Sequence, residues 1–239
     1  MKLPTPLIEG RLLRRYQRFL ADVELADGSV VTAHTPNTGS MRDLCEAGLR
    51  VWLYDTGSPR RKYPLSWELV ETRGGVLVGI NTLRANGLVR EAIEDGTVAE
   101  LQGYDSIRQE VTCGSEGSRI DLLLTGPPGS CYVEVKNVTL VEGGVALFPD
   151  AVTTRGARHL RELSRLAAAG HRAVILFCVQ RADAREVRPA DHIDPAYGLA
   201  LREAVAAGVE ALACRAAVSL DRVRLSGPLP VAIRDGVGA

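Results

Sequence analysis

Residues 120–138 leave the backbone few choices. Ile120 to Thr125 is apolar apart from Asp121, and Cys131 to Val138 is a second β-branched run. Between them lies Gly126-Pro127-Pro128-Gly129-Ser130, where two prolines and two glycines dictate a turn. The stretch is therefore expected to be a β-hairpin. Successive side chains of a strand point to opposite faces, so Glu134 and Lys136 share one face while Val133 and Val135 take the other. Folding about the Pro-Pro centre brings Asp121 back opposite the Glu134–Lys136 segment, to within about one residue of register. If Asp121 falls opposite Glu134 or Lys136, two carboxylates and an ammonium meet in a mostly apolar sheet.

Charges in such strands are costly unless paired or bound to a metal. Two readings follow. One is a structural salt bridge at a sheet edge. The other is a divalent-metal site: hard oxygen ligands suit Mg²⁺ or Mn²⁺, which accept one or two protein carboxylates and keep several waters. In the second reading Lys136 steadies an attacking hydroxide or a developing oxyanion. A carboxylate on one strand with Glu-x-Lys on the next resembles the PD-(D/E)XK nucleases.

The rest of the chain supplies a frame for this hairpin. Its 239 residues suit one large domain or two small ones. Residues 11–80 read as mostly β. Two short strands flank Asp27-Gly28, a turn lies at Thr35-Pro36-Asn37-Thr38-Gly39, and further strands are expected at Leu49–Tyr54, Trp67–Val70 and Val76–Ile80. Short strands with polar turns predict a small closed barrel such as an OB-fold. His34 reads as a turn or core histidine. From Asn81 the pattern changes. A helix is expected over Asn86 to Asp95, stopped by Gly96, and another from about Thr154 to Ala169, stopped by Gly170. Ala173 to Val179 reads as a fully buried strand. With 131–138 and the intervening helix it makes a right-handed βαβ unit. Asp194 and Pro195 open a last helix that Gly208 ends, Val209 to Val218 is a strand, and the tail after Pro230 is expected to fray.

Formal net charge is zero, and residues 1–80 hold 11 Lys/Arg against 9 Asp/Glu, so any nucleic-acid surface has to be a patch. Arg11-Leu12-Leu13-Arg14-Arg15-Tyr16-Gln17-Arg18-Phe19 interleaves arginine with aromatics, and Arg60-Arg61-Lys62-Tyr63 does so again. Cations meet phosphates and aromatics stack on bases in single-strand binders. The competing reading is a solvated strand edge. On the helix after the core strands, Arg158, Arg161 and Arg165 are expected to face solvent, with Arg155 and His159 on the border. The five cysteines show no CxxC spacing and read as reduced thiols of a cytoplasmic protein. No secretory signature stands at the first residues, and no apolar run is long enough to cross a bilayer.

Taken together, Arg14–Asp22, Thr35–Met41, Arg61–Pro64, Ser118–Asp121, Glu134–Leu140, Phe148–Thr153 and Arg155–Leu160 resemble the sugar fermentation stimulation protein A family, over about Arg11 to Pro230. The resemblance implies a mixed α/β protein: an N-terminal OB-fold, residues 1–82, followed by a PD-(D/E)XK nuclease-like domain, residues 83–239. It also implies DNA binding and a link to sugar (maltose) metabolism; a basic surface that grips the phosphate backbone is expected to do so without reading bases. On the nuclease pattern, Asp121 and Glu134 match the two metal-binding acids and Lys136 the motif lysine. Glu91 matches the additional helix acid, and Arg155 and His159 fall where auxiliary phosphate contacts sit. The expected DNA contacts are Arg11, Arg14, Arg15, Arg18, Arg61, Lys62, Arg155, Arg158 and His159. The expected cofactor is Mg²⁺ or Mn²⁺. A homodimer is possible for an enzyme that acts on both strands, and a non-catalytic regulator built on the same fold is the alternative.

Overall fold

The structure is a computed structural model that describes residues 1–113 and 118–233. Its first six strands are β1 (Leu7–Tyr16), β2 (Leu20–Leu25), β3 (Val30–His34), β4 (Arg50–Asp55), β5 (Leu65–Glu71) and β6 (Leu77–Gly79). They pair in the order β3-β2-β1-β4-β5-β6, and a parallel bridge from His34 to Ser66 joins β3 to β5 and closes a five-stranded barrel. Alternation fills it: Leu12, Val23, Val51, Leu53 and Trp67 point inward and are buried, while intervening arginines and glutamates face water. The OB-type barrel expected from the sequence is therefore present.

After the barrel come α1 (Ala85–Glu94), β7 (Ser106–Cys113), β8 (Ser118–Gly126), β9 (Gly129–Val138), β10 (Leu140–Glu142), β11 (Val145–Phe148) and α2 (Thr154–Ala168). Then follow β12 (Arg172–Val179), β13 (Glu186–Pro189), α3 (Pro195–Ala206), β14 (Glu210–Val218) and β15 (Val223–Pro228). The main sheet has the order β15-β14-β12-β9-β8-β7. Strands β9, β12 and β14 run parallel, as the buried Ala173–Val179 run predicts, and β8–β9 is the antiparallel hairpin. α1 covers one face through Leu88, Val89, Ala92 and Ile93. α2 and α3 cover the other through Leu160, Leu163, Tyr197 and Leu201.

Capping chemistry sets the helix starts. Thr153 Oγ1 accepts from Gly156 N–H at α2, and Asp194 accepts from both Tyr197 N–H and Thr153 N–H, so one carboxylate ties the starts of two helices together. Positive φ at Gly170 and Gly208 ends those helices where the sequence places the stops.

Four features depart from the sequence reading. Two short strands around Gly143-Gly144 were not foreseen: both glycines take positive φ and turn the β10–β11 hairpin, which pairs with β13 in a small third sheet. The segment after Pro230 is tied down as far as Ala232, because Val187 N–H donates to Pro230 O and Ala232 N–H to Val187 O. Residues 234–239 of that tail lie outside the described residues. The first residues join the second sheet rather than the barrel, with Lys2 bridging Arg222 and Leu3 N–H donating to Asp221 O. Strand β15 was not foreseen, since its apolar positions are too few to stand out.

A buried polar seam fixes the barrel against the rest. Glu68, 3% exposed, accepts from Asn81 Nδ2 and from Arg84 Nε at 2.7 Å. Gly79 N–H donates to Gln180 O, and a Cβ on Gly79 would lie 2.4 Å from Gln180 Oε1, so a larger residue there would have to displace the buried Gln180 amide. Cys131, Cys178 and Cys214 are buried free thiols and Cys45 is a half-buried one; the side chain of Cys113 lies outside the described residues.

Candidate metal and phosphodiester site

The hairpin delivers what its spacing predicts. β8 and β9 pair from Gly126↔Gly129 to Leu122↔Val133, which leaves Asp121 next in line opposite Glu134. There the ladder stops, and Asp121 Oδ2 accepts Val135 N–H at 2.8 Å in place of a backbone bond. The strand kinks at this residue. Ile120 and Leu122, two apart, pack into cores on opposite sides of the sheet. On the neighbouring strand Glu110 takes φ 52, between the pairs Gln109↔Leu122 and Val111↔Ile120. The kink is what lets Asp121 look into a cleft instead of lying flat on the pleat.

That cleft has a volume of about 500 Å³ and is lined by Asp121, Glu134, Lys136, Arg155 and His159, with Thr82, Leu83 and Asn86 on its barrel side. Glu134 is 2% exposed. Its Oε1 accepts from Lys136 Nζ at 2.6 Å and also contacts His159 Nδ1. His159 continues outward, 3.3 Å from Arg155 Nε. Asn86 Nδ2 donates to Asp121 Oδ1 at 2.9 Å.

The two carboxylates are tuned in opposite directions. Burial pushes Asp121 above the usual carboxylate range, reinforced by the Glu134 charge, and the Val135 N–H, Asn86 and Lys136 only partly offset it. Burial acts the same way on Glu134, but the His159 contact and the Lys136 charge outweigh it and hold that carboxyl below its ordinary value. Glu134 Oε2 is buried and has no hydrogen-bond partner. A buried lone acceptor is costly, and so is a carboxylate pair on one cleft with a single lysine. A divalent cation fits this donor set: hard oxygens, an unfilled acceptor, and two negative groups that repel each other. Among the described residues no three His, Cys, Asp or Glu side chains are arranged as a complete metal cage. The remaining coordination would fall to water and backbone carbonyls, as Mg²⁺ prefers.

Other expected positions fall elsewhere. Glu91 is not in the cleft. Its Oε1 holds the terminal ammonium of Met1 at 2.7 Å. Glu91 and Asn86 are five residues apart, about 140° around a helix of 3.6 residues per turn, so α1 cannot present both to one site. Asn86 takes the place, a residue the sequence reading had not singled out; the only local signal is its position at the helix start. Arg155 and His159 do reach the cleft, whereas Arg158 is exposed away from it. Arg15 is largely structural, its guanidinium donating to Asn37 O and Gly39 O at 2.9 Å and to Ser40 O at 3.2 Å. Arg14 pairs with Asp22 and lies over the Tyr16 ring, and Arg11 donates to Gly48 O. Arg18, Arg61 and Lys62 are exposed on the barrel.

The loop braced by Arg15 also touches the second domain. Asp150 Oδ2 accepts Met41 N–H at 3.0 Å and Ser40 Oγ at 3.2 Å. Gly39 lies so close that a Cβ there would stand 2.6 Å from the same oxygen. Pro36 O accepts from Thr82 Oγ1 at 2.7 Å, which places the loop at the edge of the cleft.

An OB barrel fused to an α/β domain that carries two acids and a lysine on neighbouring strands defines a class: a two-domain protein with a restriction-endonuclease-like second half. Family models make the assignment specific. The SfsA N-terminal OB domain matches residues 13–80, and the sugar fermentation stimulation protein RE domain matches residues 83–222. The chain belongs to the sugar fermentation stimulation protein (SfsA) family. It is 64% identical over 231 residues to a sugar fermentation stimulation protein homolog of Citrifermentans bemidjiense, covering 97% of this chain and 99% of that one. A homolog of Geobacter metallireducens is 62% identical with the same coverage. The solved structure of Pyrococcus furiosus SfsA in complex with Ca²⁺ superposes with a TM-score of 0.86 at 29% identity, covering 97% of this chain and 98% of that chain.

Proposed function

We propose that this protein binds DNA without sequence preference and hydrolyses phosphodiester bonds with Mg²⁺ or Mn²⁺ held by Asp121 and Glu134. The observation that carries the reading is the unpartnered Glu134 Oε2 in a cleft shared with the charge-strained Asp121. The Ca²⁺ complex of the Pyrococcus furiosus relative supports a divalent cation in this family. When bound, the ion supplies Lewis-acid polarisation of a phosphoryl oxygen and lowers the pKa of water.

The chain's own residues do the rest. Asn86 and the Val135 N–H orient the Asp121 carboxylate. Lys136 bridges Glu134 and the open cleft, where its ammonium offsets charge that develops on the phosphate. His159 fixes Glu134 and keeps Arg155 at the rim, in position for a neighbouring phosphate. Exposed Arg18, Arg61, Lys62 and Arg158 grip backbone phosphates, contacts that position the strand without reading bases. The reading places the protein in the cytoplasm, where its free thiols stay reduced.

The test is cleavage of DNA by purified protein in Mg²⁺ or Mn²⁺ and in chelator. Activity that requires metal and is abolished by Asp121→Asn and Glu134→Gln supports the reading; no cleavage of any form of DNA under either metal ends the catalytic half. A second reading has its own observation. Glu134 Oε1 is already occupied by Lys136 and His159, as in a structural ion network. On that reading the protein is a non-catalytic DNA-binding regulator of sugar metabolism, and its DNA affinity is salt-sensitive but indifferent to Mg²⁺ and to Lys136→Ala.

A further inference from the structure

The barrel carries a second recess that the cleavage chemistry does not use. His34, Arg61, Lys62 and Tyr63 line a cavity of about 350 Å³. Phe19 stands beside it, 44% exposed, its ring centroid 6.5 Å from that of His34. Phe19 is presented by a tight turn: Gln17 and Arg18 both take positive φ, and the Arg15 guanidinium donates to Arg18 O, which locks the tip. Lys62 Nζ sits 5.3 Å from the centre of the Tyr63 ring, so a cation and an aromatic face share one wall. His34 is held below its ordinary pKa by burial and by the nearby Arg61 charge, so near neutral pH it is an uncharged ring rather than another cation. An exposed aromatic, a neutral imidazole and a tyrosine around an open recess, with two cations at its lip, match a flat aromatic ligand joined to an anion.

The recess is also close to the acidic cleft. Thr35 N–H donates to Phe19 O at 2.7 Å, and Pro36 O accepts from Thr82, which lines the cleft. His34 and Pro36 are two residues apart, at most about 7 Å of chain.

We infer that this recess is a base-binding subsite for single-stranded DNA, where an unpaired base packs against the aromatic side chains of Phe19 and Tyr63 on the same strand as the phosphate held at Asp121 and Glu134. In a duplex that base is paired and stacked and cannot enter, so the preferred substrate is a single strand or a single-stranded end. The inference rests on the DNA-binding reading above, but not on its catalytic half.

The experiment is fluorescence anisotropy in chelator at one fixed ionic strength, with three probes of equal length: oligothymidylate, the same backbone made abasic, and a duplex. Stacking on an aromatic is worth about 1–3 kcal/mol per base, roughly fivefold to a hundredfold in affinity. Oligothymidylate should bind at least about tenfold tighter than the abasic strand. Phe19→Ala and Tyr63→Leu should each remove about fivefold or more of that difference and leave abasic binding unchanged. The thermal unfolding midpoint checks that the variants are folded, which half-exposed Phe19 tolerates. Equal binding of the abasic strand, an equal loss on both strands in Phe19→Ala, or tighter binding of duplex overturns the subsite while leaving DNA binding in place. No binding of any probe sinks both. Base-dependent binding without cleavage in metal sinks only the catalytic reading.

Discussion

Replacing Lys136 by Met isolates the charge arrangement of the cleft. The methionine keeps most of the stem volume and removes the ammonium. Lys136 and Glu134 have side chains 11% and 3% exposed and are 2.6 Å apart, so the pair belongs with buried rather than surface ion pairs. An exposed pair contributes up to about 1 kcal/mol, whereas breaking a buried one costs about 3–5 kcal/mol because the remaining charge stays desolvated. His159 remains on Glu134 Oε1 and absorbs part of the loss, which argues for the lower end, about 3 kcal/mol. For a chain of this size that is a fall in melting temperature of roughly 6–12 °C. The assay is urea unfolding in chelator at pH 7.5, run as a double-mutant cycle with Glu134→Gln, where the lysine keeps only the more distant Asp121 charge and its removal should cost under about 1 kcal/mol. The pH dependence follows from the direction of the Glu134 shift. Its folded pKa lies below the unfolded one, so its contribution stands in full above the unfolded carboxylate pKa and is lost as pH falls through the lowered folded value. Lys136→Met should therefore flatten the acid side of the stability profile. A cost below about 1 kcal/mol in the Glu134 background, or a coupling energy near zero, refutes the claim that these charges are a buried pair.

Asp121→Asn should raise stability in chelator at neutral pH, because a carboxyl with a raised folded pKa contributes fully below its unfolded pKa and loses that contribution as pH rises through the folded value. Mn²⁺ should raise the melting temperature of the wild-type protein and not that of this variant; a retained metal shift would remove Asp121 from the ligand set. Glu91→Ala should cost under about 1 kcal/mol and leave DNA binding and cleavage unchanged, since its partner is the half-exposed amino terminus; a loss of cleavage comparable to Asp121→Asn would restore it to the site. Gly39→Ala should destabilise by about 1–3 kcal/mol, measured by urea unfolding, because its Cβ would crowd the Asp150 carboxylate that accepts from Met41 and Ser40; a neutral effect would mean that the contact is loose.

Much of this molecule was readable from local pattern, and the reason is physical. Strand alternation, a Pro-Pro turn, an Asp-Pro helix start and glycine stops act over a few residues, so the hairpin with its Asp, Glu and Lys, the three α-helices and the buried parallel strand follow from sequence alone. Short pieces were hidden because three or four residues give too little periodicity: β10, β11 and β13 exist through their pairing with one another.

The sequence by itself determined that Glu134 and Lys136 share one face of a hairpin strand and that Asp121 returns beside them to within about one residue, because a two-residue period and a tight turn act locally; the register that sets Asp121 opposite Glu134 came with the structure. Only the tertiary structure decided which groups surround them. The rotation of α1 brings Asn86 rather than Glu91 to Asp121, and the docking of α2 lays His159 on Glu134. Those rotations come from the burial of Leu88, Val89 and Ile93 on one face of the sheet and Leu160 and Leu163 on the other. Packing of that kind sums contacts between residues far apart in the chain, and no local pattern encodes it.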